Sequence, residues 1–218
     1  MEYAAERIAR KAGLMHISEG ILSPALMATG WAGSMAGLAY GMKRTESEEI
    51  PRVALVSAAF FVITFVRLPL GAAHLHLAAT GLVGILLGWS AFPALFIALM
   101  LHAVLFQFGG LAVLGANTLL MALPAVAVHY LFKRCVRSAN AAQVATVAGV
   151  TGALAVTGNV LLMALFLIGS DTAFTASALG VVVLHVPLIA VEGVVTALAV
   201  SFLYKVRRDL LPGEQEPQ

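Results

Sequence analysis

Residues 142–168 read AQVATVAGVTGALAVTGNVLLMALFLI and contain no charged side chain. A helix rises ~1.5 Å per residue, so a run of this length exceeds the ~30 Å hydrocarbon core of a bilayer. The rest of the chain has the same character, with 61% hydrophobic residues, 11% charged residues and a mean hydropathy of +0.95. This composition leaves too little polar surface for a water-soluble globule. The chain is therefore predicted to be an integral membrane protein.

Polar breaks divide the chain into seven apolar runs. Each run is predicted to be a transmembrane helix, because backbone groups in hydrocarbon must be hydrogen-bonded internally. The alternating polar and apolar segments of a membrane β-barrel are absent from the sequence. The predicted fold is all-α, with a third helix short enough to be tilted or re-entrant. The seven predicted helices are 21–42, 52–68, 74–88, 93–113, 117–133, 142–168 and 176–204.

The distribution of Lys and Arg predicts the orientation of these helices. Cytoplasmic loops carry an excess of basic residues, and seven spans place the two termini on opposite sides. With the N-terminus outside and the C-terminus in the cytoplasm, nine basic residues lie inside and, after Met15, only Arg67 lies outside. The lone Cys135 lies among the inner residues and can form no internal disulfide. The nine inner residues are Lys43, Arg44, Arg52, Lys133, Arg134, Arg137, Lys205, Arg207 and Arg208.

The first fourteen residues, MEYAAERIARKAGL, do not fit this pattern, since they carry positive charge to the outer side. One interpretation is a short amphipathic helix at the membrane surface. The other is that translation starts at Met15, or that the extension is removed. No apolar stretch or cleavage site follows the charges, so a signal peptide is not predicted. The chain is divided into an extension at 1–14, a transmembrane domain at 15–208 and a cytoplasmic tail at 209–218.

Six histidines stand out in so apolar a chain, because ionisable groups at membrane depth often mark substrate or ion paths. The alternative for each single histidine is a hydrogen bond between helices. Three of them, His16, His74 and His76, are predicted to meet at the outer ends of the first and third helices. Two more, His102 and His129, are placed towards the inner ends of the fourth and fifth helices, and the sixth is His185 in the last helix.

The last helix carries two further polar residues, His185 and Glu192, seven positions apart and hence on one face. Glu192 is predicted to be paired or protonated, with a supporting role beside His185 or Asn159. Near the start of the first helix, Glu19 could cap the helix and orient a histidine.

Four motifs in order along the chain resemble the CbiM/NikM family, the substrate-binding subunits of energy-coupling-factor transporters for cobalt and nickel. The first is MHISEGILSP at 15–24, and the second is His76-Leu77 with Gly81 and the run ILLG at 85–88. The third is LFQFGG at 105–110 with LGAN at 114–117. The fourth is HVP at 185–187 with Glu192-Gly193. Together they cover Met15 to about Arg208.

The resemblance implies a site for Ni(II) or Co(II) with four nitrogen ligands. Carried over to this chain, the ligands are the free amine of Met15, the amide and imidazole nitrogens of His16, and the imidazole of His76. The positions of Gly81 and Gly88 align His76, rather than His74, with the histidine of the family. Supporting roles are predicted for Glu19, His74, His185, Glu192 and Asn117. Nickel and cobalt both remain open, with a slight preference for nickel.

The resemblance also implies a subunit that captures the ion outside and depends on partners for transport. The expected partners are a transmembrane coupling protein, two cytoplasmic ATPase subunits and a small accessory membrane subunit, without nucleic acid. The chain has no phosphate-binding Gly-x-x-x-x-Gly-Lys-Ser/Thr motif, so ATP is expected to be hydrolysed elsewhere. The ion is cargo, and no resident cofactor is expected. The expected location is the inner membrane of a bacterial cell.

A ladder of small residues on the first helix is a candidate docking surface for the coupling protein, because small residues allow close helix approach. The alternative is that it packs within the subunit. Two other functions remain open, a self-sufficient secondary transporter and an intramembrane metalloenzyme using His74, His76, His185 and Glu192. The ladder consists of Thr29, Gly33, Gly37 and Gly41.

Overall fold

The computed structural model describes residues 17–70, 73–136 and 140–212. Within these ranges the chain forms seven α-helices and one hairpin of two short antiparallel strands. The predicted helical fold class is confirmed, and the hairpin is its one exception in the described residues. The helices are α1 Pro24–Arg44, α2 Ile50–Ile63, α3 Thr80–Leu87, α4 Ala91–Phe106, α5 Leu114–Cys135, α6 Ala141–Ser170 and α7 Thr175–Val206. The strands are β1 Arg67–Leu70 and β2 Ala73–His76.

The hairpin corrects two predicted helix boundaries. The second helix was predicted to reach residue 68 but ends at Ile63, and the third was predicted to start at 74 but starts at Thr80. Pro69 lies between these ends, and proline inside a helix removes a hydrogen bond and clashes with the preceding turn. The intervening chain pairs with itself instead, with Arg67 opposite His76 in the register. His76 therefore lies on a strand.

The fourth predicted helix also ends early. It was expected to continue to residue 113 but stops at Phe106. Gln107, Gly109 and Gly110 follow with φ of 56°, 76° and 113°, all of them left-handed values that a right-handed helix cannot contain. Residues 107–113 therefore form a loop that leads into α5.

Close contacts at glycines fix the direction of α1 relative to α5. A side chain at Gly30 would overlap Ala116, and one at Gly33 would overlap Leu119. Both pairs advance in the same sense along the two helices, so α1 and α5 run in parallel. Small residues at such a crossing let two backbones pack closely where no hydrophobic effect drives them together.

The helix α4 runs in the opposite direction to α1. The rings of Trp31 and Phe96 meet edge to face at a centroid distance of 6.2 Å. Towards the other end of α1, a side chain at Gly41 would overlap the main chain of Trp89, just before α4. Later residues of α1 thus contact earlier residues of the α4 region, so the two helices are antiparallel.

A reversal at Gly88 separates α3 from α4. A side chain at Gly84 would overlap Ala125, and Gly88 lies against the ring of His129, so α3 runs parallel to α5. Because α4 runs antiparallel to α1 and hence to α5, the chain turns back between α3 and α4. Gly88 makes this turn with φ 54° and ψ −122°, a conformation that glycine adopts without a Cβ clash. The predicted short third helix is therefore confirmed, as one arm of a helical hairpin.

Four segments of the described chain are long and apolar enough to cross a membrane, judged by length and composition. The first contains both α3 and α4, which the turn at Gly88 divides. Neither α1 nor α2 is among the four, so the count of seven crossings stays a prediction. The segments are Thr80–Phe106, Leu114–Cys135, Ala141–Ser170 and Thr172–Val206.

The two ends of the bundle differ in chemistry. At one end, called the basic end, Arg44, Arg52 and Lys133 line a cavity of about 360 Å³. Asp209 also lines it, and hydrogen bonding from the guanidinium of Arg207 lowers the pKa of its carboxyl group. The beginning of the predicted tail packs here too, since Leu211 is 5% exposed. The opposite end, called the histidine end, contains Ile17, β2 and the 107–113 loop.

Candidate functional site

The residue after His16 is held by an amide pair. The N–H of Ile17 donates to Oδ1 of Asn117 at 2.9 Å, and Nδ2 of Asn117 donates to the carbonyl oxygen of Ile17 at 3.0 Å. Asn117 lies in the first turn of α5, and both residues are buried. These two hydrogen bonds fix the main chain of Ile17, the residue that follows His16. Met15 and His16 themselves lie outside the described residues.

Glu19 holds the loop that precedes α5. Its Oε1 accepts a hydrogen bond from the N–H of Ala112 at 2.9 Å, and its own N–H donates to the carbonyl oxygen of Gly109 at 3.1 Å. A side chain at Gly110 would overlap the Glu19 carboxylate. The predicted capping of the first helix by Glu19 is wrong, because Ser23 is the N-cap and accepts from the N–H of Leu26. Glu19 instead ties the 17–20 segment to the 107–113 loop.

His76 is the last residue of β2 and is 3% exposed. The ring of Phe108, in the 107–113 loop, stacks near it at a centroid distance of 6.5 Å and an interplanar angle of 21°. His74 pairs in register with Pro69, and its side chain lies outside the described part of the structure. The structure thus brings His76 to the loop that Glu19 holds.

Glu192 anchors the chain immediately after His76. Its Oε1 accepts hydrogen bonds from the N–H groups of Ala78 at 2.5 Å and Ala79 at 3.0 Å, and its Oε2 accepts from Ala79 at 2.9 Å. Ala79 has φ 48°, so the backbone turns sharply between β2 and α3. Glu192 was predicted to be paired or protonated, with a supporting role beside His185 or Asn159, and the partners seen are the main-chain amides of Ala78 and Ala79. A side chain on α7 therefore fixes the junction two residues beyond His76.

His185 lies about two turns before Glu192 on α7 and is 1% exposed. Its Nδ1 is 2.7 Å from the carbonyl oxygen of Val181. A carbonyl oxygen only accepts, so Nδ1 carries the proton and Nε2 of the neutral ring is a bare acceptor. Within the described chain, Nε2 is buried and no hydrogen-bond donor reaches it.

His102 lies at the histidine end, against the prediction that placed it near the inner end of its helix. It lies in the last turns of α4, with Nε2 2.9 Å from Oγ1 of Thr64. Its ring stacks on Phe61 at 4.7 Å and lies 6.4 Å from that of Phe108, which also neighbours His76. The sequence prediction failed because α4 ends at Phe106 rather than at residue 113, so His102 lies about one turn from the end of the helix. The aromatic pairs Phe61 with Phe65 and Phe106 with Phe108 were the available signal.

His129 lies apart from this group, as predicted. It lines the cavity at the basic end, and its Nδ1 is 3.1 Å from the carbonyl oxygens of Gly84 and Ile85. The ring thus secures the C-terminal turn of α3, and we treat His129 as a structural residue.

The small-residue ladder packs within the subunit, which was the second of the two interpretations. Side chains at Gly33, Gly37 and Gly41 would overlap Leu119, Phe92 and the main chain of Trp89, respectively. Thr29 is exposed, and its hydroxyl donates to the carbonyl oxygen of Ala25. These glycines pack against α4, α5 and the turn before α4, which leaves them no room to receive a helix of the coupling protein.

Among the described residues, no group of three His, Cys, Asp or Glu side chains could hold a metal ion. Of the three predicted ligand residues only His76 is described. The described residues hold the main chain next to two of the predicted ligands. Asn117 hydrogen-bonds the residue after His16, and Glu192 hydrogen-bonds the chain after His76. The fold and the site define a class of protein: a helical membrane protein with histidines at one end. The side chains of Asn117 and Glu192 hold the main chain at that end.

The chain belongs to the CbiM family. The family model described as the cobalt uptake substrate-specific transmembrane region matches residues 16–210. A protein of Haemophilus influenzae named for metal transport is 34% identical over 199 residues, covering 90% of this chain and 97% of that one. A fused nickel transport protein of Rhodobacter capsulatus, NikMN, is 39% identical over 114 residues, which are 50% of this chain and 33% of that longer one. The chain is thus a member of a family of cobalt and nickel transport membrane proteins.

A solved structure supports the same assignment at the level of the fold. A transition metal transporter superposes with a TM-score of 0.73 and is 28% identical, covering 88% of this chain and 93% of that one. The predicted resemblance to the cobalt and nickel family is confirmed.

Proposed function

We propose that this chain is the substrate-capture subunit of an ATP-driven energy-coupling-factor transporter that takes up Ni(II) or Co(II). The observation that carries the proposal is the amide pair between Ile17 and Asn117, because it fixes the residue next to His16 at the end of the bundle where His76 is buried. Membership of the CbiM family supplies the transported class of ion.

The proposed ligands form a planar set of four nitrogens. The amine of Met15 and the amide nitrogen of His16 close a five-membered chelate ring with the metal, and that amide with its own imidazole closes a six-membered ring. The imidazole of His76 completes the set. Tetragonal nitrogen sites suit Ni(II) and Cu(II), whereas Mg²⁺ and Ca²⁺ prefer oxygen ligands.

The proposed site needs a free amine at Met15, which a chain starting at Met1 does not have. We therefore propose that the working protein begins at Met15. Intact-mass measurement of the purified protein tests this directly. A terminus at Met1 together with undiminished uptake would remove the amine from the ligand set.

The proposed orientation places the histidine end outside the cell and the basic end in the cytoplasm. The basic end has the excess of Lys and Arg that is usual for cytoplasmic loops. An ion arriving from outside would then meet His76 first, and the coupling protein and ATPases would act on the subunit from the membrane and the cytoplasm.

The test is metal content and uptake in one set of cells. The purified wild-type protein should contain about one Ni or Co per chain, and cellular uptake should be lost when the ATPase subunits are deleted. Uptake that survives their deletion would instead identify a secondary transporter. A chemical product formed without uptake would identify a metalloenzyme.

A further inference from the structure

The cavity at the basic end is formed where several helices begin or end. Its lining comes from the end of α1, the start of α2, the turn between α3 and α4, the end of α5 and the segment 209–212. Its volume of about 360 Å³ lies within the ~300–1,000 Å³ that is usual for small-molecule sites. The cavity can therefore hold a ligand of the size of a lipid headgroup.

Two carboxylates of the described chain line this cavity, and each already has a guanidinium partner. Nη2 of Arg52 donates to Oε1 of Glu49 at 2.5 Å. Arg207 donates from Nε and Nη2 to the two oxygens of Asp209, at 3.0 Å and 2.8 Å. Both negative charges of the lining are thus matched by a neighbouring positive charge.

Positive charge is left over in the lining. Arg44 and Lys133 line the cavity, and within the described residues neither forms an ion pair with a carboxylate. The guanidinium of Arg44 donates only to the neutral hydroxyl of Tyr40 among its printed neighbours. Nε of Arg52 is buried, and no described residue accepts a hydrogen bond from it. Because buried donors are normally hydrogen-bonded, this lining is suited to an anion with several acceptor oxygens.

Aromatic residues place the cavity at the depth of the lipid headgroups. Trp89 and Tyr130 line it, and the rings of Tyr40 and Trp89 meet at a centroid distance of 4.6 Å. Tyr204 packs in the apolar cluster of Leu211, which also lines the cavity. All three tyrosines of the described chain therefore lie at this end. Tyr and Trp are enriched at the membrane–water interface, and basic pockets between transmembrane helices bind phosphate-bearing headgroups.

From these observations we propose that the cavity binds a phosphate group, supplied by the headgroup of an anionic phospholipid, with Arg44, Arg52 and Lys133 as its cationic contacts. The bound headgroup would hold the ends of α1 and α5 and the start of α2 beside the turn at Gly88. The inference is independent of metal capture, because none of the proposed metal ligands lies at this end. His129 lines the cavity, but its Nδ1 faces main-chain carbonyl oxygens of α3.

The source of the phosphate can be tested with three probes added to the purified protein in a nonionic detergent at constant ionic strength. Dioleoylphosphatidylglycerol should raise the unfolding midpoint and saturate at about one lipid per chain, because a ligand of the folded state stabilises it by mass action. Dioleoylphosphatidylcholine, with the same phosphate and acyl chains but no net charge, should leave the midpoint unchanged, as should sodium phosphate. An equal rise with phosphatidylcholine would overturn the anion site. A rise with sodium phosphate equal to that with phosphatidylglycerol would overturn the headgroup as the source.

Variants of neighbouring residues test the contacts. Lys133→Gln and Arg44→Gln should each weaken phosphatidylglycerol binding by about fivefold, the contribution of one basic residue near a headgroup. The matched control is Arg134→Gln, because Arg134 adjoins Lys133, is equally exposed and does not line the cavity. Native mass spectrometry of the lipid-bound fraction gives the affinity of the folded protein, whatever the stability of each variant. Equal affinities in Lys133→Gln and Arg134→Gln would overturn the inference, since surface charge alone would then attract the lipid.

Discussion

Asn117 and Ile17 exchange two hydrogen bonds across 100 residues of sequence, from Ile17 N–H to Oδ1 at 2.9 Å and from Nδ2 to the Ile17 carbonyl oxygen at 3.0 Å. The side-chain amide of Asn117 therefore satisfies both main-chain hydrogen-bonding groups of Ile17. Both main-chain groups are buried, so removing the amide would leave a donor and an acceptor without partners. The pair links the start of α5 to the segment that departs from His16.

Replacing this amide should weaken metal binding without removing a ligand. We expect Asn117→Ala to raise the dissociation constant for Ni(II) by about 10–100-fold, the usual cost of losing a residue that orients a metal ligand. Isothermal titration with Ni(II) measures the change. The matched control is Asn140→Ala, which removes a helix cap with about 0.5–2 kcal/mol of stability and should leave the affinity unchanged. Equal affinity losses in the two variants would contradict the prediction.

The order of the helices could be predicted from the sequence because apolar runs without charges are long and their breaks are polar. The helix ends could not, since they depend on backbone conformation at few positions. Gln107, Gly109 and Gly110 end α4 with left-handed φ values, although the predicted helix continued through them to residue 113. These three residues lie within an otherwise apolar run, so the pattern of hydrophobic residues alone did not predict a helix end there.

The sequence predicted which residues belong to the candidate site only where those residues are part of a recognised motif. Glu192 was recognised as a buried carboxylate that needs a partner, but its partners are main-chain amides 113 and 114 residues away. Main-chain groups carry no signature in the sequence, so side-chain partners were proposed instead. The same limit applies to Asn117, whose motif was recognised while its bond to Ile17 was not.

Removing the Glu192 carboxylate should loosen the chain next to His76. In Glu192→Ala the N–H groups of Ala78 and Ala79 lose their acceptors, at a cost of about 1–3 kcal/mol for each buried group left unpaired. We expect a lower unfolding midpoint in detergent and weaker Ni(II) binding, with partial recovery in Glu192→Gln. Glu49→Gln is the control, because its ion pair with Arg52 is part-exposed and contributes about 0–1 kcal/mol. A Glu192→Ala protein as stable as Glu49→Gln would show that the anchor is dispensable.

Substitution of His76 and of His129, which lie at opposite ends of the bundle, should have different effects on Ni(II) binding. His76→Ala should abolish Ni(II) binding, because it removes the only proposed ligand on β2. His129→Ala should retain full binding, since its ring lies at the basic end against the carbonyl oxygens of Gly84 and Ile85. Plasma mass spectrometry of the purified variants gives the metal content. Comparable losses in both would mean that the site lies elsewhere in the bundle.

The orientation can be tested at Cys135, the single cysteine in the chain, which is exposed near the end of α5. It adjoins Lys133 and Arg134 at the basic end, which we place in the cytoplasm. A membrane-impermeant maleimide should therefore label Cys135 in inverted vesicles but not in intact spheroplasts. Cys135→Ser gives the background signal. Labelling of spheroplasts alone would reverse the proposed topology and put the histidine end inside.

The packing of α3 against α5 should tolerate no added methyl group. A Cβ at Gly84 would overlap the main-chain carbonyl oxygen of Ala125, and a backbone atom cannot move aside as a flexible side chain can. We expect Gly84→Ala to lose about 1–3 kcal/mol of stability, the usual cost of overpacking. Because α3 follows β2 directly, its displacement should also reduce the affinity for Ni(II). The measurements are the unfolding midpoint in detergent and a Ni(II) titration.

A second glycine provides the matched control for this prediction. Gly180 lies in α7 with no atom within 4 Å of an added Cβ. In Gly180→Ala the helix should gain up to about 1 kcal/mol, because alanine has the higher helix propensity and meets no neighbour there. Metal affinity should not change. A Gly84→Ala protein that behaves like Gly180→Ala would mean that α3 and α5 are farther apart than described, and that the hairpin of α3 and α4 does not hold β2 in place.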